Sequence, residues 1–263
     1  MNKVISALDK YRIPRHRVDI GFELPVIMPD IEYFQKLVSK SDLFSQPQKC
    51  SNSRQKYNSR LNRGVVYYLE QILYGKDQKR VLDLGCGQGG NRTFLAWLGV
   101  SEVISLDVSS PVSDIIGDAH LLPFKSNSFD LVLATAVIEH LYNPFVAFSE
   151  IGRILEPGGY FLATASFWER WHDKSCFHFT PNGLYVLCHC SGFELLDLWS
   201  GWGFIESVMS HAIGHVIYPF ASILQRMFDS VLRRIKGNDA IVRHRLRTSG
   251  SFGFVAQKNF PRI

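Results

Sequence analysis

The chain has 263 residues, of which 46% are hydrophobic and 20% are charged. This size and composition suit one globular domain with appendages, and they exclude wholesale disorder, collagen and a small disulfide-rich protein. The sequence has no run of about 18 strongly apolar residues, so we expect no conventional membrane-spanning helix. The first residues lack the apolar stretch of a signal peptide, and the five cysteines follow no framework spacing. We therefore expect reduced thiols and a cytoplasmic location.

Charge is distributed unevenly along the chain. Residues 1–63 carry 12 Lys or Arg against 6 Asp or Glu, residues 64–225 carry 8 against 16, and residues 226–247 carry 7 against 2. The basic ends are either solvated surface or face an anionic partner such as a phosphate-bearing substrate or a lipid surface. The basic residues are not interleaved with aromatic residues in a known binding pattern, which argues against RNA or DNA as a partner.

Strands and helices are predicted to alternate from residue 64 onward. The first helix begins near Val65 and ends at Gly75, and three more helices are capped by Asn91, Asn143 and Thr180. Strands are predicted over 80–84, 103–107, 129–134, 160–165, 193–199 and 251–258, with a turn at Pro157-Gly158-Gly159 before the fourth. This alternation predicts an α/β fold with a mainly parallel sheet. Residues 1–63 would form an N-terminal extension or lid, and residues 64–263 the main domain.

An insertion over residues 201–249 separates the last two predicted strands. Pro219 is expected to divide it into two helices. The second helix carries an apolar stripe beside basic side chains: Phe220, Ile223, Leu224, Met227, Phe228, Val231 and Ile235, with Arg226, Arg233, Arg234 and Lys236. Two interpretations stay open and can coexist, namely a lid over the substrate pocket and a peripheral contact of residues 219–236 with an anionic membrane.

A glycine-rich turn follows the first strand. The segment VLDLGCGQGG (81–90) places Gly85, Gly87 and Gly90 in a G-x-G-x-x-G pattern, which lets the backbone approach a ligand closely. Asp107 ends the next strand, where a carboxylate can accept hydrogen bonds from both ribose hydroxyls. These residues alone fit either a dinucleotide or another adenosine cofactor. Asp83 favours the second, because a buried acid there suits a cationic amino group that a dinucleotide does not supply.

Six segments in order carry a resemblance to a known family. They are VLDLGCGQGG (81–90), SLDVS (105–109), GDAHLLPF (117–124), SFDLVLATAVIEHL (128–141), EIGRILEPGGYFLATA (150–165) and HFTPNGLYVLCHCSGFELL (178–196). With these, the sequence resembles the class I S-adenosylmethionine-dependent methyltransferases, specifically the type 11 small-molecule group, over about residues 64–200 and 251–258. The resemblance implies a seven-stranded, doubly wound, Rossmann-like sheet whose last strand is antiparallel and lies between the fifth and sixth.

The resemblance also implies S-adenosylmethionine as cofactor and a set of residues to hold it. Asp83 would lie near the amino-acid end of the cofactor, Asp107 would accept from the ribose hydroxyls, and Asp118 from the adenine amine. The cofactor-binding residues implied are Asp83, Gly85, Cys86, Gly87, Asp107, Val108, Asp118, Ala119, Thr135 and Ala136. The acceptor would be a small molecule or a lipid-linked metabolite.

The catalytic groups are less determined by the sequence. Methyl transfer from a sulfonium is an in-line displacement that depends mainly on alignment, and it needs a base only when the nucleophile arrives protonated. His140, His172 and His178 are candidates for that base, each with a purely structural role as the alternative. Metal-assisted O-methyltransferases need a carboxylate at the end of the 129–134 strand, and Thr135 and Ala136 provide none. We therefore predict metal-free transfer and no metal site.

Some alternatives remain at this level. The cysteines at 176, 188 and 190 with His178 have an irregular spacing for a zinc site. An NAD(P)-dependent oxidoreductase shares the glycine turn, although Asp83 and the later segments disfavour it. A non-catalytic S-adenosylmethionine-binding protein and a membrane adaptor that keeps the fold as a scaffold are compatible with the same motifs.

Overall fold

A computed structural model describes residues 61–73, 79–172, 174–213 and 217–259. All but the last three positions of the predicted N-terminal extension (1–63), and the predicted helix end at Gly75, lie outside these residues. Within the described ranges, no helix combines the length and the apolar character needed to cross a membrane.

Seven strands form one sheet in the order β3-β2-β1-β4-β5-β7-β6. They are β1 (Arg80–Leu84), β2 (Glu102–Asp107), β3 (Ile115–Ile116), β4 (Phe129–Ala134), β5 (Leu155–Ser166), β6 (Phe193–Ser200) and β7 (Ser251–Lys258). β7 is antiparallel to both of its neighbours, β5 and β6, whereas the other pairs are parallel. This arrangement confirms the predicted fold class and the predicted position of the last strand.

Seven α-helices accompany the sheet in the described residues. They are α1 (Arg63–Leu73), α2 (Arg92–Trp97), α3 (Pro144–Ile154), α4 (Pro181–Cys190), α5 (Phe204–Ile213), α6 (Tyr218–Lys236) and α7 (Asn238–Thr248). Two predicted caps are confirmed: Asn143 Oδ1 accepts from the N–H of Val146 at 3.3 Å, and Thr180 Oγ1 accepts from the N–H of Gly183 at 3.0 Å. Each cap satisfies a backbone donor that the first helical turn leaves free.

Two local predictions are wrong. Asn91 precedes α2 but makes no side-chain cap, because its amide is directed to Asp83 instead. The Pro157-Gly158-Gly159 segment is an irregularity inside β5 rather than a turn before it, since β5 pairs with β4 on both sides of it. Gly158 has a φ of 78°, and this left-handed residue accommodates the shift in register.

The insertion between β6 and β7 contains three helices, not the two predicted. Pro219 lies in the first turn of α6, as expected, but Gly237 with a φ of 81° ends α6 and starts α7 directly. The apolar stripe of α6 faces outward, with Met227 60% and Ile235 72% exposed. The opposite face of the helix is buried and carries Ala221, Gln225 and Asp229.

Polar contacts hold the inner face of α6. Gln225 accepts from the N–H of Ile205 at 2.8 Å and donates to Asp229 at 3.0 Å. Arg245 on α7 donates to the other oxygen of Asp229. This hydrogen-bonded network docks α6 on α5 and α7. Most of the apolar stripe of α6 stays exposed, although the ring of Phe228 lies 5.3 Å from that of His244 on α7.

Candidate functional site

The candidate site lies where the carboxyl ends of β1, β2 and β4 meet at one edge of the sheet. Asp83 near the end of β1 is in register with Ser105 on β2 and Leu133 on β4. The glycine-rich turn leaves β1 and is fixed to β2, because the N–H of Gly85 donates to the carbonyl of Leu106 at 2.7 Å. In open α/β sheets, ligands bind in the crevice outside these strand ends.

Asp83 is a buried carboxylate with one free oxygen. The residue is 1% exposed, and its Oδ1 accepts from the amide of Asn91 at 2.9 Å. Its Oδ2 is also buried and has no hydrogen-bond partner among the described residues. Burial raises the pKa of the Asp83 carboxyl to about 6, against the smaller lowering by Asn91. A cationic group beside Oδ2 would remove this cost.

Gly85 and Gly87 have left-handed backbones with different surroundings. At Gly85, with a φ of 67°, a Cβ would lie 2.3 Å from Cγ2 of Val137, so the position permits no side chain. At Gly87, with a φ of 52°, a Cβ would meet no atom within 4 Å. The absence of a side chain at Gly85 is therefore explained by packing, whereas Gly87 borders open space above the turn.

Asp107 ends β2 beside the glycine turn. Its Oδ2 accepts from the N–H of Gly87 at 3.0 Å, and its Oδ1 accepts from the N–H groups of Ser109 and Ser110 at 2.9 and 3.0 Å. Partial burial alone would raise the pKa of this carboxyl, but the backbone donors outweigh it and lower the pKa. The carboxylate stays ionised, and Oδ2, which accepts one hydrogen bond, retains capacity for a further donor.

Asp118 lies in a more open part of the same edge, with its side chain 47% exposed. Its Oδ1 contacts Nδ1 of His120 at 2.5 Å, and the Nε2 of His120 accepts from the N–H of Asn143 at 3.1 Å. Tyr142 stacks on His120 with the ring centroids 3.7 Å apart. Partial burial would raise the pKa of Asp118, but the hydrogen bonds from His120 outweigh this effect and lower the pKa. Ala119, next to it, is buried.

The remaining predicted cofactor residues surround this edge with different exposures. Cys86 is buried in the turn, whereas Val108 after β2 is 72% exposed. Thr135 and Ala136 directly follow β4. Ala136 has a φ of 55°, an uncommon conformation for a residue with a Cβ, and its N–H donates to Oγ1 of Thr164 at 2.8 Å.

A second group of polar side chains follows Ala136 in the short 3-10 helix Ile138–His140. Glu139 is 3% exposed, and its Oε1 accepts from Oγ of Ser166 at 3.1 Å. Burial raises the pKa of the Glu139 carboxyl. Oε2 of Glu139 and Nδ1 of His140 are buried and unpartnered in the described part of the chain. The ring of His140 lies 5.0 Å from that of His172.

The loop between β5 and α4 brings the other two predicted histidines to this group. The rings of His172 and His178 are 6.4 Å apart, so the three histidines form one cluster. Nδ1 of His178 lies 3.1 Å from the carbonyl of Phe167, and that of His172 lies 3.3 Å from the carbonyl of Arg170. Trp171 is exposed in the same loop.

The insertion contacts this loop through α5. The ring of Trp168 lies 6.1 Å from that of Phe204, and the N–H of Arg170 donates to Nε2 of His211 at 2.9 Å. The first helix of the insertion is thus coupled to the loop that carries His172 and His178. Cys188, one of the cysteines whose spacing is irregular for a zinc site, is fully buried in the core.

Several residues of this edge were not found by sequence reasoning. Asn91 was interpreted as a helix cap, whereas it holds Asp83. His120 and Tyr142, which fix and flank Asp118, and Ser166, which binds Glu139, were not identified. A polar residue eight positions after a buried acid is a weak signal, and the partner of Glu139 lies 27 positions away on another strand.

Parts of the chain are similar to known methyltransferases. The family profile described as "Methyltransferase domain" matches residues 82–163, which include the glycine turn, Asp107, Asp118 and His140. A fatty-acid O-methyltransferase of Mycolicibacterium smegmatis is 39% identical over 101 residues, or 33% of this chain and 36% of the relative. Phthiotriol/phenolphthiotriol dimycocerosates methyltransferase 1 of Mycobacterium ulcerans is 38% identical over 101 residues, or 33% and 37%. The matches thus span little more than a third of these curated relatives.

Solved structures share the fold at low sequence identity. The [4+2]-cyclase SpnF has a TM-score of 0.52 at 20% identity, with 77% of this chain and 85% of that chain covered. A Galdieria sulphuraria protein assigned as a sarcosine dimethylglycine methyltransferase has a TM-score of 0.50 at 20% identity, with 73% and 82% covered. The profile match over residues 82–163 and the curated relatives support a class I S-adenosylmethionine-dependent methyltransferase domain in this part of the chain, with S-adenosylmethionine as the implied cofactor, and the solved structures agree with the fold.

Proposed function

We propose that this protein binds S-adenosylmethionine at the strand-end edge and transfers its methyl group to a small-molecule or lipid-linked acceptor. The observation that carries the proposal is the free, buried Oδ2 of Asp83 directly before the glycine turn. A dinucleotide presents a pyrophosphate near such a turn and would leave this oxygen without a donor. An amino-acid ammonium supplies the donor and the positive charge that the oxygen lacks.

The residues present fit the cofactor. Asp83 would accept from its amino group, Asp107 from its ribose hydroxyls, and Asp118 from its adenine amine. The open space beside Gly87 supports close passage over the turn. The other residues expected to line the cofactor are Gly85, Cys86, Val108, Ala119, Thr135 and Ala136. When bound, S-adenosylmethionine supplies an electrophilic methyl group on a sulfonium.

The protein's main task in the transfer is to align the acceptor and to exclude water. Thr135 and Ala136 offer no carboxylate for a hard cation, so we expect the transfer step to need no metal ion at the end of β4. His140, His172 and His178 are the candidates to accept a proton when the acceptor arrives protonated. Their common cluster, rather than any one of them, supports this assignment.

Within this proposal, we favour a lipid-linked acceptor. Two of the relatives are named for fatty-acid and dimycocerosate substrates. The outward apolar stripe of α6 lies on the same helix as Arg226, Arg233, Arg234 and Lys236, all of them exposed. We therefore propose that residues 219–236 contact an anionic membrane peripherally from the cytoplasmic side, while α5 contacts the loop that carries His172.

Calorimetry tests the cofactor assignment. We expect the protein to bind S-adenosylmethionine and its demethylated product and to show little binding of NAD. Asp107→Ala should weaken binding by about 1.5–3 kcal/mol, the scale for hydrogen bonds to a charged group. Glu194→Ala, an exposed carboxylate on β6, is the matched control and should bind like the wild type. Tight NAD binding without sulfonium binding would contradict the assignment.

A labelling experiment tests the transfer itself. Incubation of the protein with an isotopically labelled methyl donor and separate polar-metabolite and lipid extracts should place label in the lipid fraction. Label only in polar metabolites would keep the methyltransferase and reject the lipid-linked acceptor. Cofactor binding without any transfer would favour a non-catalytic role, a relevant outcome since the same fold also occurs in a cyclase.

A further inference from the structure

The group formed by Glu139, His140 and His172 has the composition of a metal site. Each residue offers one ligand atom, and these three atoms lie within 4.8 Å of one another. Two imidazoles and one carboxylate are a ligand set that zinc proteins use when a fourth coordination position is left open to water. The sequence assigned none of these residues to a metal. The expectation of no metal site rested on Thr135 and Ala136 at the end of β4 and on the irregular spacing of the cysteines with His178.

The hydrogen bonding leaves one atom of each residue available. Oε1 of Glu139 lies 3.1 Å from Oγ of Ser166, which also lies 2.9 Å from Oε2 of Glu169, whereas Oε2 of Glu139 is buried and has no partner in the described part of the chain. Nδ1 of His140 is likewise buried and unpartnered there. Nδ1 of His172 lies 3.3 Å from the carbonyl of Arg170 and can donate to it, which leaves Nε2 as the nitrogen available to bind an ion. Such a second hydrogen bond commonly orients a metal-binding imidazole.

The backbone holds these ligands together. The carbonyl of Glu139 accepts from the N–H groups of Cys176 and Phe177 at 2.7 and 3.1 Å, which ties the loop to the 3-10 helix. The carbonyl of His172 accepts from the N–H and the hydroxyl of Ser175 at 2.8 and 2.9 Å. The position of His172 beside Glu139 and His140 is therefore fixed by local contacts in the absence of any ion.

An unpartnered buried carboxylate oxygen is costly in either protonation state. When ionised it lacks a compensating charge, and when protonated it adds a hydroxyl donor that also lacks an acceptor. From the free oxygen, the free imidazole nitrogen and the fixed loop, we propose that Glu139, His140 and His172 bind a divalent transition-metal ion of the zinc type. When the ion is bound, His140 and His172 are its ligands and His178 is the histidine left to accept a proton, whereas without the ion all three stay candidates.

Zinc titration of the full chain, stripped with a chelator and studied without cofactor or acceptor, tests the proposal separately from methyl transfer. We expect stoichiometric Zn²⁺ binding by calorimetry. Glu139→Gln and His172→Ala should each weaken Zn²⁺ binding by at least about 10–100-fold. A loss of that size already follows when a residue that only hydrogen-bonds a metal ligand is removed. His189→Ala, which removes a histidine from the end of α4, and Cys176→Ser should bind like the wild type.

Circular dichroism on each variant checks that the fold is retained. His172 lies in a loop, so its variant stays informative if Glu139→Gln fails to fold. The proposal is overturned if the wild type binds no Zn²⁺, or if folded His172→Ala binds it as tightly as the wild type. A loss of binding in Cys176→Ser equal to that in His172→Ala would assign the ion to the thiol and also overturn the ligand set.

Discussion

At the scale of single residues, Asp83 shows how burial prepares a carboxylate for a ligand. Its raised pKa of about 6 means that the folded protein without cofactor holds a proton there more tightly than the unfolded chain does. The stability associated with this proton is present at low pH and is lost as the pH rises from about 4 through 6. A cationic ligand reverses the preference, because it binds the ionised form.

Cofactor affinity should therefore depend on pH through Asp83. We expect binding to tighten as the pH rises through about 6 and then to level off, with affinity about 10-fold lower at pH 5 than at pH 7.5. Asp107 and Asp118, whose pKa values are lowered, remain ionised over this range. Calorimetry at several pH values measures the effect, and Asp83→Asn should bind weakly with no such dependence. An unchanged slope in that variant would assign the proton to another group.

At the scale of elements, two glycines of the same turn differ in why they lack a side chain: Gly85 is required for packing, whereas Gly87 leaves room for a ligand. Gly85→Ala and Gly87→Ala both place a side chain at positive φ, which costs about 1–2 kcal/mol. Gly85→Ala adds a clash with Val137, so it should lower the free energy of unfolding by more than Gly87→Ala does. Gly87→Ala should lose cofactor affinity while it keeps more stability. Denaturant unfolding and calorimetry on both variants check this, and wild-type affinity in Gly87→Ala would show that the cofactor avoids the turn.

The helix α6 is the element whose role depends most on which face is buried. Each Lys or Arg near an anionic surface contributes about 1 kcal/mol, and this attraction is screened over about 10 Å at 0.1 M salt. We expect co-sedimentation with anionic vesicles that falls at high salt and is weaker with neutral vesicles. Arg233→Glu with Arg234→Glu should reduce it strongly.

The matched control is a double variant that changes the net charge by the same amount at two positions outside α6. Arg63→Glu with Lys125→Glu alters two exposed cations and should leave vesicle binding close to that of the wild type. Equal losses in both double variants would indicate a general charge effect. If binding is equal for anionic and neutral vesicles and unchanged in both double variants, the membrane contact is rejected and the insertion is better explained as a lid.

At the scale of the whole molecule, strand order decides which residues meet. β1 lies between β2 and β4, so Asp83, Asp107 and Thr135 reach one edge although they are far apart in the chain. β7 enters between β5 and β6, and the insertion that precedes it contacts the loop after β5. The glycine turn, the histidine cluster and the insertion thus all follow the carboxyl ends of strands, at the edge where we propose that the cofactor and the acceptor bind.

The sequence by itself determined the alternation of strands and helices, the glycine turn and the acids at the strand ends. These are local signals: apolar runs of strand length, Asn143 and Thr180 as caps, and glycines directly after a strand. The local signals failed where two structures compete for the same residues. Asn91 could cap a helix or bind Asp83. It binds Asp83, because a buried carboxylate oxygen needs a hydrogen-bond donor from the protein, whereas an exposed helix end can be solvated by water.

Only the tertiary structure decided which side of α6 is buried and which atoms remain without a partner. Periodicity identifies an apolar stripe but not what it faces, and the pairing of Asp229 with Gln225 and Arg245 turned that stripe outward. Likewise, Glu139, His140 and His172 come together through contacts between a 3-10 helix and a loop more than 30 positions away. The physical reason is that hydrogen-bond satisfaction is a property of the folded neighbourhood, which no single segment contains.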